Sequence, residues 1–303
     1  MMRNNLIIAK QKIQRKNLVS RIAIYFFLIG IGFVYLYPVI YMVVNSFFSR
    51  TDILDPSVIW LPTELCFDNF IKAFQTLDFF KSFLNSMLLS VIPALLQTAV
   101  TAVVGFGLAR FDFPFKKTVL VLVIITFLLP TQIMMVPRFV LFDRFHITNT
   151  VFAQYLPALL GQGIKSAIFI LVFYQYFNTY PKALDEAAEL DGANKIKLFI
   201  LVALPMAGGA IVLSLLFSFV WYWNETYQSS LLFGSAIQTL PLKLQSFTAQ
   251  YEAIYGGGGS SGTINEAISL AGTLLSILPV LILYICLQRH FVESIERSGI
   301  TGE

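Results

Sequence analysis

Residues 181–205 read PKALDEAAELDGANKIKLFILVALP (Pro181–Pro205), a polar stretch set in a chain that is otherwise apolar over long runs. Pro181 suits a first helical position, and Asp185 and Glu186 fall in the first turns, where the helix dipole favours acids. Ala187 and Ala188 are small and good helix formers. Gly192 suits the left-handed residue that ends a helix, after which an apolar run begins and closes on Leu204 and Pro205. The pattern predicts a short helix, a bend and a second helix, lying parallel to a membrane at its inner face. Ala187 and Ala188 leave room for another protein's surface to come close; an ordinary connector between two spans fits the same residues.

Outward from that stretch, composition identifies the solvent. The 303 residues are 57% hydrophobic and 13% charged, with a mean hydropathy of +0.74, where an average soluble domain is about 25% charged. Lipid is the medium such a chain fits, and its 29 Phe and 13 Tyr suit helices that face acyl chains and headgroups. The net charge of +4 is spread in short stretches between apolar runs, which speaks for membrane orientation and against a nucleic-acid partner. Cys66 and Cys286 are the only cysteines; the topology below puts them on opposite sides of the membrane, so neither a disulfide scaffold nor a thiolate metal site is expected. His146 and His290 stand alone without ligand spacing, and no metal is expected. The first twenty residues are polar and basic and the first apolar run is long enough to span, so no cleavable signal peptide is expected.

A span needs about 20 mostly apolar residues, and six stretches qualify: about 22–44, 82–108, 118–141, 151–177, 198–221 and 267–286. Several contain proline, which kinks a helix unless neighbours satisfy the freed carbonyl. With the N-terminus inside, the inner segments hold Arg3, Lys10, Lys12, Arg15, Lys16 and Arg21, then Arg110, Lys116 and Lys117, then Lys182, Lys195 and Lys197, then Arg289 and Arg297. The outer segments hold only Arg50, Lys72, Lys81, Arg138, Arg144 and Lys243. The bias predicts both termini, and the 181–205 stretch, on the cytoplasmic side. The expected organisation is a basic cytoplasmic N-terminus over 1–21, a transmembrane domain over 22–290 with an outer loop over 224–266, and a cytoplasmic tail over 291–303. In the first outer loop, Phe67, Phe70, Ile71, Phe74 and Leu77 recur at helical spacing, which predicts an amphipathic helix on the membrane, on a partner or on its own protein.

The pattern EAA, three residues, G, then LP further on is matched by Glu186, Ala187, Ala188, Gly192, Leu204 and Pro205. It resembles the cytoplasmic loop of the membrane subunits of ATP-binding-cassette importers. The acidic form Asp191–Gly192 is most similar to the carbohydrate-uptake branch, and within it to the smaller permease subunit of the maltose type. Asn85–Ser86, GFGLARFDFPFKK (Gly105–Lys117), WNETYQSSLLF (Trp223–Phe233 with Trp221 just before it) and QRHFVESIERSGITGE (Gln288–Glu303) resemble further segments of that family. The tail departs from it: VESI (Val292–Ile295) lacks the usual glycine and SGITGE (Ser298–Glu303) replaces a GAVKG-like ending.

The resemblance implies an all-α polytopic membrane protein with six transmembrane helices in the type I ABC importer permease fold. It implies a second homologous permease subunit, two ATPase subunits that hold the ATP and magnesium, an extracellular or periplasmic solute-binding protein, and a carbohydrate substrate in a bacterial cytoplasmic membrane. Glu186, Ala187, Ala188, Asp191, Gly192 and Pro205 are then the ATPase-coupling residues, and the chain itself holds no cofactor and is no enzyme. A phosphate loop is absent from the sequence: the nearest string, GQGIKS (Gly161–Ser166), has the wrong spacing and lies inside an apolar run.

Lys165 is a charge within a span, where charges are expensive and face cavities or partners; it is a candidate pathway residue together with Gln162, Trp221, Trp223 and Asn224. For the tryptophans an interfacial aromatic belt is the other reading. YGGGGSSG (Tyr255–Gly262) is a mobile loop by composition; the resemblance implies that Tyr255, Gly256, Gly257, Gly258 and Gly259 belong to a contact loop for the binding protein. Importers of a non-sugar solute share the EAA loop. An ion-gradient-driven carrier would carry acidic or histidine relays within its spans, and no span here holds one.

Overall fold

The computed structural model describes residues 2–256 and 264–300, with side chains over 20–256, 264–286 and 288. Gly257, Gly258 and Gly259 therefore lie outside the described residues. Every regular element among them is helical: α1 (Met2–Asn45), α2 (Arg50–Leu54), α3 (Asp68–Thr76), α4 (Phe79–Arg110), α5 (Lys116–Leu128), α6 (Thr131–Arg144), α7 (Phe152–Leu159), α8 (Ser166–Thr179), α9 (Lys182–Leu190), α10 (Lys195–Leu198), a π-helical turn (Phe199–Ala203), α11 (Leu204–Met206), α12 (Gly208–Asn224), α13 (Tyr227–Phe233), α14 (Leu240–Gln245), α15 (Phe247–Tyr255) and α16 (Glu266–Ile300). The chain divides into two units, Met1–Ala73 with Tyr255–Leu274, and Phe74–Ile254 with Leu275–Glu303.

Among the described residues three helical segments are long and apolar enough to cross a membrane, Ser20–Asn45, Phe79–Arg110 and Glu266–Cys286. Two further pairs qualify if each is taken as one bent span: α5 with α6, bent by 100°, and Lys195–Met206 with α12, bent by 78°. The third stretch, 118–141, is thus broken at Leu129–Pro130, where one of its prolines removes a donor. The fifth, 198–221, is bent at Ala207. The fourth, 151–177, is interrupted over residues 160–165, where Gly161 (φ +71°) and Lys165 (φ +53°) are left-handed. The loop expected over 224–266 folds in part into α13, α14 and α15, and α16 continues as helix to Ile300.

In the first unit, α1 exposes an apolar surface on almost all sides from Ile22 onward, as a helix facing lipid should. Beyond it the chain folds back. Asn69 Nδ2 donates to Ser46 O and Phe48 O, both at 2.9 Å, and Phe47 packs its ring on Phe67 and Phe70. The amphipathic stretch therefore packs its Phe70 side on its own protein. Ser49 and Asp52 form a capping box at the start of α2, and Thr63 Oγ1 donates to Asp52 Oδ1 at 2.5 Å.

In the second unit, α4 is the axis, with α7, α8 and α12 packed on it. Its buried positions include Ser82, Ser86, Ser90, Ala94, Thr98, Thr101, Ala102 and Gly105, a face of small residues that lets helix backbones approach. A Cβ at Gly105 would lie 2.5 Å from Phe173 Cβ and 2.9 Å from Tyr174 N, so the crossing of α4 and α8 admits only glycine. Asn85 and Ser86 tie down the chain ahead of α14: Asn85 Nδ2 donates to Gln238 O and Leu240 N donates to Ser86 Oγ.

Gly105→Ala should push the two helices apart and cost about 1–3 kcal/mol, the usual range for overpacking; a lowered midpoint of thermal unfolding in detergent checks this. Asp52 is held below the ordinary carboxylate range, first by the Thr63 hydroxyl and then by Ser49. Its contribution is full above about pH 4 and is lost as pH falls through its folded value. Amide exchange over residues 50–66, corrected for intrinsic rates, should accelerate in acid for wild type and already be fast at neutral pH in Asp52→Ala.

Candidate functional site

Two places in the second unit bring chemistry-bearing residues together. The first is the helix–bend–helix of residues 181–205. Pro181 precedes α9 and Asp185 lies in its first turn. The helix ends on Gly192 at φ +83°: Ala193 N donates to Ala188 O and Gly192 N donates to Glu189 O, the paired bonds of a Schellman ending. Two residues later Asn194 Oδ1 accepts from Lys197 N at 2.8 Å and starts α10. The GAN sequence is therefore a stop followed directly by a start. Nothing lies within 4 Å of where a Cβ on Gly192 would sit, so its glycine is needed for backbone conformation and not for space.

The α9 helix is pinned from behind. Arg110, the last residue of α4, places Nε 3.1 Å from Asp185 Oδ2 and donates from Nη2 to Tyr180 O at 2.8 Å. Its guanidinium lies 3.9 Å from the centre of the Tyr180 ring, and the Tyr180 hydroxyl donates to Asp185 Oδ1. Arg110 and Asp185 keep only 5% and 13% of their side-chain surface exposed. Burial, and then the bond to Asp185, push the Tyr180 hydroxyl up to about 12, so it stays a donor throughout the neutral range. Ala188 packs against a cluster made by Phe106, Phe173, Phe177, Tyr180 and Leu198. Glu186, Ala187, Asp191, Gly192 and Pro205 are exposed, and Leu190 and Ile196 stand out from the surface beside them.

The second place is a cavity of about 550 Å³ between α5, α6 and the break that precedes α8. Gln162 and Lys165 both line it. Lys165 Nζ lies 4.3 Å from the Trp221 ring centre, and Trp221 packs on Phe169 and Phe217. Trp223 is elsewhere, buried between Phe83 and Phe219, and Asn224 is exposed with its side chain donating to Val220 O. Tyr255 closes α15, with Gly256 next to it. Among the described residues no three His, Cys, Asp or Glu side chains gather as a metal site.

Sequence reasoning passed over three groups here. Arg138 lines the cavity and donates to Gln228 Oε1 and to Gln162 O, both at 3.3 Å; its place inside residues 118–141, following Pro137, is the signal that finds it. Gln97 and Tyr222 hold the break: Gln97 Nε2 donates to Ile164 O at 2.9 Å and to Ser218 Oγ at 3.1 Å, the Tyr222 hydroxyl donates to Gln97 Oε1 at 2.7 Å, and Ile164 N donates to the Tyr222 oxygen at 3.2 Å. A Cβ at Gly163 would fall 2.2 Å from Gln97 Oε1 and 2.3 Å from Tyr222 OH. The third group is Arg110 with Tyr180, whose partners come from elements far apart in the chain.

With a helical membrane architecture and an exposed, capped helix pair in place, comparison with known proteins becomes specific. Residues 101–297, more than half of the chain, match the family of binding-protein-dependent transport system inner membrane components, and the chain belongs to that family. It is thus a membrane-embedded permease subunit and not an enzyme. It is 29% identical to the arabinooligosaccharides transport system permease protein AraQ of Halalkalibacterium halodurans, over 90% of this chain and 93% of that protein. It is 27% identical to the maltodextrin transport system permease protein MalD of Streptococcus pneumoniae, over 96% of this chain and 99% of the other. Its fold is similar, at a TM-score of 0.77 and 21% identity, to a bacterial ABC transporter involved in the import of the acidic polysaccharide alginate, covering 91% of this chain and 98% of that one.

Breaking the α9 anchor should cost about 3–5 kcal/mol locally, because removing one partner strands a buried charge. Asp185→Ala should therefore free α9 while leaving α4 and α8 packed. Faster amide exchange confined to residues 181–198 is the expected readout; uniform protection in the variant would sink the assignment.

Proposed function

We propose that the chain is one of two homologous permease subunits of an ATP-driven, binding-protein-dependent sugar importer in a bacterial cytoplasmic membrane. Its six spans are the three long helices, the two bent pairs and the α7–α8 pair, with both termini and α9 in the cytoplasm. The substrate is an oligosaccharide, as the names of the AraQ and MalD relatives suggest. Two ATPase subunits, carrying the ATP and magnesium, dock below, and a solute-binding protein delivers the sugar from outside.

The observation that carries this reading is the exposed surface of α9 and its Gly192 bend, backed by the buried Arg110–Asp185 pair. A helix that presents Glu186 and Ala187 outward yet is fixed to the end of a transmembrane helix transmits force. When ATP draws the ATPases together, seated α9 helices move with them and α4 and α8 follow, which converts an inward-open pathway to an outward-open one. Glu186 pairs with a basic group on the ATPase, and the small Ala187 permits close seating. At the other face, the segment after Tyr255 contacts the binding protein.

The test is co-purification from the native membrane. Wild type should bring a second permease carrying the same loop and an ATPase. Gly192→Pro, which forbids the positive φ, should shed the ATPase and keep the permease pair, and Glu186→Ala should weaken ATPase retention several-fold. A wild-type chain that emerges alone, and that transports without nucleotide, is an ion-driven carrier and overturns the reading.

A further inference from the structure

The polar groups that line the cavity between α5, α6 and α8 share one electrical character. Lys165 and Arg138 both line it, and among the described residues neither forms a salt bridge. Among the described residues no carboxylate lines it. Glu225 belongs to the small adjoining cleft, where its Oε1 is occupied by Gln228 N at 2.7 Å. A charge inside an apolar slab is costly unless it is compensated. Arg138 is only partly compensated, by neutral acceptors at 3.3 Å, and Lys165 only by the face of Trp221 at 4.3 Å.

A second observation points the same way. Ser166 opens α8, is 3% exposed, lines the cavity, and its Oγ is buried without a hydrogen-bond partner. A buried hydroxyl left unpaired costs free energy, and this one sits at the positive end of the α8 dipole. Lys165 is held left-handed immediately before it, a conformation disfavoured for a side chain of that size. The break thus sets the Lys165 ammonium at one wall, with the Ser166 hydroxyl buried behind it, while Arg138 supplies a guanidinium at another. Arg suits planar, two-toothed recognition of a carboxylate, and Gln162 and Gln228 add amides for neighbouring hydroxyls.

We propose that this cavity is an anionic-sugar subsite, in which Lys165 and Arg138 receive the carboxylate of a uronic-acid residue of the transported oligosaccharide. This rests on the sugar-import reading above and narrows its substrate class to acidic saccharides. At about 550 Å³ the space lies within the range of sites for small organic ligands, roughly 300–1,000 Å³. Trp221 lies behind Lys165 and shares the cation with the incoming carboxylate: without substrate the ammonium rests on the ring, and with substrate it turns to the anion.

The experiment uses membrane vesicles carrying the whole transporter, loaded with ATP, and compares uptake of trigalacturonate with that of the neutral trisaccharide galactotriose. The acid should be preferred. Lys165→Gln and Arg138→Gln should each lower the acid-to-neutral uptake ratio at least about tenfold, the scale of one lost hydrogen bond to a charge. Lys165→Arg should restore most of it, which a merely misfolded variant would not do. If only the neutral sugar is taken up, or the ratio is indifferent to both substitutions, the subsite is overturned while sugar import stands. If neither sugar enters with ATP, the import reading falls and the subsite with it. If the substitutions change only the anionic lipid that co-purifies, the cavity holds a lipid phosphate and the proposal is wrong.

Discussion

A buried backbone that leaves helical geometry must find its hydrogen-bond partners within the protein, and the break over residues 160–165 does so. Gln97 takes both roles of its amide, donating to Ile164 O and Ser218 and accepting from Tyr222, while the Tyr222 oxygen takes Ile164 N. Three helices, α4, α8 and α12, are thereby tied to one non-helical turn. A net gain of about 1 kcal/mol per bond understates the network, because the loss of any member strands buried polar groups on the others. Gly163 is the space into which the amide and phenol fit. The cavity wall that carries Gln162, Lys165 and Ser166 exists because this turn is held open.

The same helices carry a second fixed point at the opposite end of α8. Arg110 closes α4 and binds both Tyr180, which closes α8, and Asp185, in the first turn of α9. Between the two fixed points α4 and α8 meet at Gly105 with no room for a Cβ. Packing of this density moves as a body and does not deform continuously. The two bent helix pairs are a different material: each has a break where proline or a helix end removes hydrogen bonds, and such breaks are where helices swing.

Much of this was legible in the residues and some was not. The membrane class follows from composition, and the left-handed Gly192 and the helix to its N-terminal side follow from local chemistry, because caps are written within a few residues. The bends at Pro130 and near Pro205 are visible as prolines, though their size is not. The shape of the break before α8 was not legible: no local rule puts a lysine in the left-handed region, and the residues that hold Ile164 beside it, Gln97 and Tyr222, lie far away in the chain. Arg110 was visible as an inner-side cation and as part of a family segment, but its partners depend on how α4, α8 and α9 converge. Trp221 and Trp223, two residues apart, looked equivalent by sequence; helical geometry turns one toward Lys165 and the other into the core beside Phe83.

These placements connect the two sites through one rod. Lys165 flanks one end of α8 and Tyr180 the other, and the 14 residues between them span about 21 Å at 1.5 Å each. Under the import reading, force applied to α9 enters α8 at Tyr180 through Asp185 and Arg110, and leaves it at Lys165 and Ser166. A rod cannot shift at one end alone, so a displacement of α9 would reach the break at Lys165 and, through the Arg138 bond to Gln162 O, the α6 helix. Under the same reading, a carboxylate held by Lys165 and Arg138 would sit at the far end of the path that begins at α9, and a ligand that favoured one arrangement of that path would shift the balance between arrangements.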